Sequence, residues 1–235
     1  MASFALFERQ WTTYRTVVSH DLMEHRALAE ATAACLDSWL AQLPSSAAGP
    51  AMVDLGCGDL AQLAPLLRRL PLASYTGVDL AAAVLPLAQA ALGAVAYPCT
   101  WLEGDLLNWI QKPGAPIDIL HSAFAVHHLN DEAKATFLQA ARRRIAADGL
   151  MLLADVFRKP GEALGPYLER YCQRMRGWEA LGPEQQVQVI EHVSQFDQPA
   201  DREAIAAAAR DAGWHFHWAW QGNHQAEALA VLTPA

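Results

Sequence analysis

Short apolar runs alternate with longer stretches of helical periodicity from about residue 51 to 156. The runs are apolar on both faces, as in strands buried within a parallel sheet. The predicted strands are 51–55, 74–78, 100–103, 117–122 and 150–156. The predicted helices are 60–70, 81–92, 105–110 and 131–147. This alternation predicts an α/β fold with a doubly wound, mostly parallel sheet and helices on both sides.

The regions before and after this segment are helical. A helical N-terminal lid is predicted over residues 1–48, which include a linker rich in Pro, Ser and Ala that begins at Pro44. A helical insertion, about 160–198, follows the fifth predicted strand, where it can cap a pocket at the carboxyl ends of the strands. The lid and the cap are the two regions from which substrate-binding residues are expected.

Two more strands are predicted at the C-terminal end, at 214–220 and 227–232. A tight turn joins them, and a tight turn joins antiparallel strands only. One of the two must therefore run against the rest of the sheet. The second domain is predicted over 51–235, with seven strands, one of them antiparallel near the C terminus.

Composition and charge narrow the class of partner. The chain has 235 residues, a hydrophobic fraction of 53% and a net charge of −8, which suit one globular core. An acidic chain whose densest basic run is Arg142–Arg144 is not expected to bind nucleic acid or an anionic membrane surface. Neither a signal segment nor a stretch of ~20 apolar residues is recognisable, so a cytoplasmic protein with a small-molecule substrate is predicted. The Trp-rich last strands favour a homodimer.

No metal site is predicted. The four cysteines are widely spaced and include no C-x-x-C pair. They are Cys35, Cys57, Cys99 and Cys172.

The segment Asp54-Leu55-Gly56-Cys57-Gly58-Asp59 follows the first predicted strand. In a doubly wound sheet, ligands bind beyond the carboxyl ends of the strands. Gly56 and Gly58 allow a turn with positive φ and let the backbone approach a ligand closely. Asp54 can accept a hydrogen bond from a cationic amine, although it can also serve only to cap the turn. The turn therefore predicts a ligand site at this edge.

Two further acids end the next two predicted strands. Asp79 lies 25 positions after Asp54, where a carboxylate can bind ribose hydroxyls. Asp105 can accept from an adenine amino group, or it can cap a short helix. The turn has no lysine, and the charge of Asp59 repels a pyrophosphate. Together these features predict a cationic, nucleoside-bearing cofactor without phosphates, which fits S-adenosylmethionine.

These segments resemble the motifs of the class I S-adenosylmethionine-dependent methyltransferases that act on small molecules. The similar segments are Val53–Gly58, Gly77–Leu80, Glu103–Leu106 and Asp118–Leu129, which ends in His-His-Leu. The likeness extends over about 51–157 and, by layout, over 200–233. Leu60 stands where many family members carry a third glycine, which leaves the packing of the first helix on the sheet open.

The resemblance implies a set of cofactor-binding residues. They are Asp54, Gly56, Cys57, Gly58, Asp79, Leu80, Asp105, Leu106, Ser122, Ala123 and His127. Tyr14 of the predicted N-terminal helix is a further candidate that covers the cofactor as a lid, unless this helix only docks its apolar face into the core. Within this set the ribose is expected at Asp79 and the adenine at Asp105. The methyl-donating end is expected at Ser122, Ala123 and His127.

The catalytic candidates are His128, His192 and Tyr171. Methyl transfer is an in-line displacement at a sulfonium, so the enzyme aligns the acceptor and removes its proton, for which histidine is a natural base. As an alternative, His127 and His128 only shape the pocket wall. Tyr171 and Arg174 share a face of the predicted cap helix, which favours a small, polar, carboxylate-bearing acceptor.

The predicted function is methyl transfer to an oxygen, nitrogen or sulfur atom of a small metabolite. One alternative keeps the cofactor and changes the reaction, to cyclisation or to transfer of the aminopropyl chain. Another is a cofactor-binding protein without turnover. A nicotinamide dehydrogenase shares the general fold, but the acidic loop and the His-His-Leu segment disfavour it.

Overall fold

The computed structural model of the chain describes residues 12–43 and 49–235, so residues 1–11 of the predicted lid and 44–48 of the predicted linker lie outside the described residues. The strands are β1 Ala51–Leu55, β2 Ser74–Asp79, β3 Cys99–Glu103, β4 Ile117–Ala123, β5 Ile145–Arg158, β6 Ala200–Asp201, β7 Trp214–Gln221 and β8 Glu227–Pro234. Residues 12–19 are helical and are called α1. The other helices are α2 His25–Leu40, α3 Ala64–Leu67, α4 Leu85–Leu92, α5 Leu106–Gln111, α6 Asp131–Arg144, α7 Leu164–Arg176, α8 Pro183–Phe196 and α9 Arg202–Asp211.

The strands form one twisted sheet in the order β3-β2-β1-β4-β5-β8-β7. Strands β1 to β5 pair in parallel, and β8 runs antiparallel between β5 and β7. The two-residue strand β6 pairs with the end of β5. The predicted doubly wound sheet with an antiparallel C-terminal strand is therefore confirmed. The order reverses between β1 and β4, which is where such sheets bind ligands.

Two apolar layers enclose the sheet. On one face, α6 and α9 contribute buried residues such as Phe137 and Ile205. On the other face, α2, α3 and α4 contribute buried residues such as Leu36, Leu67 and Ala88. Strands that are covered on both faces are rich in apolar residues. The short apolar runs in the sequence predicted the strands for this reason.

Two predicted helix boundaries were wrong. The helix expected over 60–70 is only Ala64–Leu67, because Leu60 takes a left-handed conformation with φ 58 and Pro65 lies in the first turn, where proline starts a helix. The helix expected over 131–147 ends at Arg144, and β5 begins at Ile145, whose backbone is extended and pairs with Ile117.

The helices α1, α7 and α8 form a separate apolar cluster over the carboxyl ends of β4 and β5. Its buried side chains include Val17, Tyr167, Met175 and Val193. The predicted insertion after the fifth strand thus consists of α7 and α8. Helix α2, which lies within the predicted lid, packs on β8 and β7 as part of the sheet layer.

Candidate active site

The glycine turn is held against the neighbouring strand. The N–H groups of Gly56 and Cys57 both donate to the carbonyl of Val78, over 2.8 and 3.1 Å. Gly56 has φ 76, and a Cβ on it would lie 2.4 Å from the Cβ of Ala125. Gly58 has φ 53 but faces open space, since a Cβ there would meet nothing within 4 Å. The backbone at Gly58 is therefore bare toward a ligand.

Asp79 positions this turn. One carboxylate oxygen accepts from the N–H of Gly58 and the other from the N–H of Ala81, each over 2.8 Å. Burial raises the pKa of Asp79, and the two backbone hydrogen bonds act in the opposite direction. A carboxylate has about four acceptor positions, so two remain for ligand hydroxyls.

A cavity of about 600 Å³ opens above the turn, which lies within the usual range for small-molecule sites. Nine of the predicted cofactor-binding residues line it: Tyr14, Gly56, Cys57, Gly58, Asp79, Leu80, Asp105, Leu106 and Ala123. Asp54, Ser122 and His127 do not line this cavity. Burial, and next the charges of Asp54 and Asp79, raise the pKa of the Cys57 thiol, which is therefore neutral.

Asp54 lies beneath the cavity floor. Its residue is 2% exposed, and its two oxygens are bonded to the hydroxyl of Tyr75 at 3.0 Å and to Nδ1 of His121 at 2.7 Å. His121 is on the cavity wall, whereas Asp54 is not. The structure therefore puts His121, which the sequence did not single out, where the amine contact of Asp54 was expected.

Asp105 and Ser122 have structural hydrogen bonds. Asp105 caps α5 by accepting from the N–H of Asn108 over 2.8 Å, and it also lines the cavity, so the cap and the adenine role are compatible. Ser122 is fully buried and donates to the carbonyl of Leu55 over 2.7 Å, which joins β4 to β1. The structure does not bring Ser122 to the cavity. Leu80, 71% exposed, offers an apolar surface at the rim.

A second cavity, of about 300 Å³, lies under α1, α7 and α8. Four residues line both cavities: Tyr14, His25, Phe124 and His128. Phe124 has φ 51, a left-handed conformation that is uncommon for a bulky residue and often marks a functional site. The two cavities are therefore adjacent and share a wall.

A group of histidines and acids forms one side of the second cavity. His127 is held by Asp155, which lies 2.6 Å from Nδ1 and also accepts from the backbone N–H of His127 over 3.0 Å. Asp197 Oδ1 lies 3.6 Å from Nε2 of His127, 3.6 Å from Nδ1 of His128 and 3.8 Å from Nε2 of His192. His127 lines this cavity and not the first.

The pKa values within this group shift in different directions. Burial opposes the charged form of His127, but the Asp155 carboxylate outweighs it, so the pKa of His127 is raised. Burial, and next the His127 imidazole, lower the pKa of His128 to about 4 and also lower that of His192. Burial raises the pKa of Asp197 to about 6.

The predicted cap residues Tyr171 and Arg174 are part of a buried ion pair. Arg174 donates to both oxygens of Glu227, over 2.6 and 2.9 Å, and to the carbonyl of Leu22 over 2.6 Å. The Tyr171 hydroxyl lies 3.4 Å from Glu227, and burial, then Glu227, raise the pKa of Tyr171 well above its usual value. Arg174 lines neither cavity, so the cation expected for an acceptor carboxylate is engaged elsewhere.

Four residues of the site were not selected from the sequence: His25, His121, Asp155 and Asp197. His121 and Asp155 interrupt apolar strands, which is a signal that was available. His25 is buried, its Nδ1 has no hydrogen-bond partner among residues 12–43 and 49–235, and burial lowers its pKa to about 4. Nothing in the pattern around His25 or Asp197 distinguishes them.

Residues 52–149 match the profile of a family described as "Methyltransferase domain". A trans-aconitate 2-methyltransferase of Azoarcus sp. (strain BH72) is 35% identical over 114 residues, which are 48% of this chain and 42% of that protein. The match therefore spans less than half the length of this curated relative. An uncharacterized methyltransferase of Mycobacterium bovis is 38% identical over 80 residues, or 34% of this chain and 38% of that protein.

The solved structures extend the comparison to the whole chain. Magnesium protoporphyrin IX methyltransferase from Synechocystis PCC 6803, solved with bound S-adenosylhomocysteine, covers 98% of this chain and 95% of its own, with a TM-score of 0.65 and 16% identity. The fold is that of a class I S-adenosylmethionine-dependent methyltransferase. Residues 52–149 are thus similar to the methyltransferase domain family, and the whole chain shares the fold of a methyltransferase that was solved with S-adenosylhomocysteine bound.

Proposed function

We propose that this protein transfers a methyl group from S-adenosylmethionine to an oxygen, nitrogen or sulfur atom of a small metabolite. The observation that carries the proposal is the shared wall of Tyr14, His25, Phe124 and His128 between the two cavities. The first cavity is assigned to the cofactor and the second to the acceptor. The methyl donor and the acceptor would then meet where the two cavities adjoin, between these four side chains, in the alignment that a displacement reaction requires.

The first cavity fits the cofactor. When bound, S-adenosylmethionine supplies an electrophilic methyl group on a cationic sulfonium. Asp79 has two acceptor positions left for ribose hydroxyls, and the bare backbone at Gly58 admits a ligand closely. Asp105 and Leu80 are assigned to the adenine end, and His121, supported by Asp54, to the methionine end.

The second cavity favours an acceptor without carboxylates. Its lining, within the part of the chain that the structure describes, includes no lysine or arginine. It includes instead the carboxylate of Asp197 and the aromatic side chains of Tyr171 and Trp178. A tricarboxylate such as trans-aconitate would be desolvated there without a cation, which is costly. A neutral or cationic compound with an apolar or aromatic body suits this cavity better.

Among the predicted catalytic residues, we assign the acceptor contact to His128. His128, His192 and Tyr171 all line the second cavity, but only His128 also lines the first. Of these three side chains, that of His128 is therefore the closest to where a methyl group would pass. Tyr171, whose hydroxyl lies near Glu227, is assigned to shaping the cavity.

The test is product formation with S-adenosylmethionine and a panel of small metabolites that includes aromatic alcohols, amines and thiols as well as trans-aconitate. We expect S-adenosylhomocysteine with a neutral or cationic acceptor and little with trans-aconitate. Methylthioadenosine as the product would show aminopropyl transfer instead. Cofactor binding without any product across the panel would favour a non-catalytic binding protein and contradict the proposal.

A matched pair of variants assigns the acceptor contact. His128→Gln should lower kcat/KM for the acceptor and leave S-adenosylhomocysteine affinity nearly unchanged. His217→Gln, on the exposed face of β7, is the control and should change neither. Equal kinetics in both variants would contradict the assignment of His128.

A cytoplasmic location and a homodimer stay predictions from the sequence. Within residues 12–43 and 49–235, the structure has no helix with the length and apolar composition needed to cross a bilayer. Strand β7 is the last in the sheet order and carries Trp218 and Trp220, each partly exposed, which supports the dimer prediction. Sedimentation or size-exclusion measurements test it.

A further inference from the structure

One oxygen of Asp197 is buried without a hydrogen-bond partner. Asp197 is 7% exposed, and its Oδ1 has no hydrogen-bond partner among the described residues. Burying a carboxylate oxygen without a partner is costly, so such an atom calls for an explanation. Three imidazole nitrogens, of His127, His128 and His192, surround this atom at 3.6, 3.6 and 3.8 Å.

We propose that Asp197, His127 and His128 bind a divalent transition-metal ion, of which Zn²⁺ is the best match, with His192 as a fourth ligand. The ligand atoms of the first three residues all lie within 4.8 Å of one another. In a tetrahedral site with bonds of about 2.0–2.1 Å, ligand atoms are about 3.4 Å apart. The observed separations from Asp197 are 0.2 to 0.4 Å above this value. The ligand atoms of the first three residues are together only within 4.8 Å, so binding would draw the histidine rings closer to one another.

The surrounding residues hold these ligands in place. Asp155 accepts from Nδ1 of His127, which leaves Nε2 toward Asp197. This carboxylate–imidazole pairing is the usual support of metal-binding histidines, because it fixes the tautomer and the ring orientation. The group is therefore oriented as a metal site requires.

The two chain segments that supply the ligands are also tied together. The N–H of Gln198 donates to the carbonyl of His127 over 2.7 Å. The buried ammonium of Lys134 donates to the carbonyls of both Leu129 and Gln198. These contacts fix the turn carrying His127 and His128 against the segment carrying Asp197.

The donor set selects the kind of metal. Imidazole nitrogens suit Zn²⁺, Co²⁺ and Ni²⁺, whereas Mg²⁺ and Ca²⁺ prefer oxygen ligands. No metal site is recognisable from the sequence, because these ligands come from separate places in the chain. If the proposed function holds, the ion would face the acceptor cavity and could bind the acceptor atom. It would also supply the positive charge that the described side chains of this cavity lack, so the low activity expected with trans-aconitate applies to the metal-free protein. Only these consequences depend on that function.

Metal binding is tested directly on untagged, chelator-treated protein by titration with Co²⁺. We expect one Co²⁺ per chain, with the visible absorption of a low-coordinate nitrogen and oxygen site, and displacement by Zn²⁺ but not by Mg²⁺. Asp197→Asn should weaken binding by about 100-fold or more, since even a residue that supports a ligand contributes 10–100-fold. Asp211→Asn, an exposed acid at the end of α9, is the control and should bind like the unaltered protein.

S-adenosylhomocysteine affinity serves as the folding control, because Asp197 does not line the first cavity. His128→Gln, whose side chain is 44% exposed, gives a second variant in case Asp197→Asn fails to fold. Because His128 also lines the first cavity, the folding of this variant is judged by urea denaturation and not by S-adenosylhomocysteine affinity. Stoichiometric binding that is lost in these variants supports the site, whether or not an acceptor is ever found. No stoichiometric Co²⁺ in the unaltered protein, or undiminished binding in the variants, would overturn it.

Discussion

The two cavities are built in different ways. The first is formed mainly by residues that directly follow β1, β2, β3 and β4, and it is completed by Tyr14 and by residues of α2. The second is assembled from α1, the turn before α2, α7, α8 and single residues after β4. A cavity at strand ends is thus specified locally, whereas one beneath inserted helices depends on tertiary contacts between distant segments.

The two cavities also differ in the role that their residues suit. The first cavity has features that a shared cofactor requires: a turn with positive φ, a carboxylate bonded to backbone N–H groups, and a rim of apolar side chains. The second combines aromatic side chains of a cap, which a buried ion pair fixes, with a histidine and acid group that the cap shares with the ends of β4 and β5. Changes in the cap should therefore alter the acceptor without altering the cofactor.

The largest expected effect is on the ion pair that fixes the cap. Arg174→Met leaves Glu227, which is fully buried, without its cation. Removing one partner of a buried pair costs about 3–5 kcal/mol of unfolding free energy, which urea denaturation measures. Because neither residue lines the first cavity, S-adenosylhomocysteine affinity should be kept in the folded protein.

A matched control comes from the pair Arg69–Asp37, which is bonded at 2.8 Å but half exposed. Arg69→Met should cause a much smaller loss of unfolding free energy, because water screens the charges of an exposed ion pair. The double variant Arg174→Met with Glu227→Gln should recover part of the loss, since it removes the uncompensated charge. Equal losses from Arg174→Met and Arg69→Met would show that the pair does not anchor the cap.

The next effect concerns His25, on the wall between the cavities. Burial lowers the pKa of His25 from 6.5 to about 4, while Asp21 acts to raise it and Arg174 to lower it. Between these pH values the unfolded chain binds the proton and the folded chain does not. Stability should therefore fall as the pH drops from 6.5 to 4, by about 3 kcal/mol for this residue.

His25→Leu should flatten this part of the stability profile relative to the unaltered protein, as urea denaturation at a series of pH values would show. His128 on the same wall and His121 in the first cavity are present in both proteins, so the difference isolates His25. His217→Leu, on the exposed face of β7, should leave the profile unchanged. An unchanged profile in His25→Leu would contradict the assigned buried, neutral state.

The last comparison tests the glycine turn alone, and Gly58→Ala has the smallest expected effect. Gly58→Ala should lower the unfolding free energy by about 1–2 kcal/mol, because the left-handed conformation is unfavourable for alanine, although its Cβ would meet no other atom. Gly56→Ala should lower the unfolding free energy by about 1–3 kcal/mol more than Gly58→Ala does, because its Cβ would also overlap Ala125. Unfolding free energies of the two variants measure the difference. Equal losses would mean that the turn is not pressed against Ala125.

The fold and the first cavity followed from local signals in the sequence. Gly56, Gly58 and Asp79 occur at strand ends, so the pattern that predicts the strands also predicts their neighbourhood. The ends of the helix after Gly58 could not be predicted from the sequence. The left-handed backbone of Leu60 is unfavourable by itself, and only the burial of its side chain in the core stabilises it. Tertiary packing decided that boundary.

The second cavity was only partly predictable. His128 and His192 were selected separately, and the structure brings their rings to 5.7 Å. Asp155 was missed although an acid within an apolar strand is itself a signal. Asp197 gave no signal, because its role arises only when α8 returns the chain to the end of β5, and that return is a long-range contact.

The measurement that tests the central claim most directly is calorimetric titration of S-adenosylhomocysteine into the unaltered protein, Asp79→Asn and the exposed control Asp148→Asn. Hydrogen bonds to a charged group contribute about 1.5–3 kcal/mol, so Asp79→Asn should bind about 10- to 150-fold more weakly. Asp148→Asn should bind like the unaltered protein. Equal affinity in Asp79→Asn, or no binding by any of the three, would contradict the assignment of the first cavity to this cofactor.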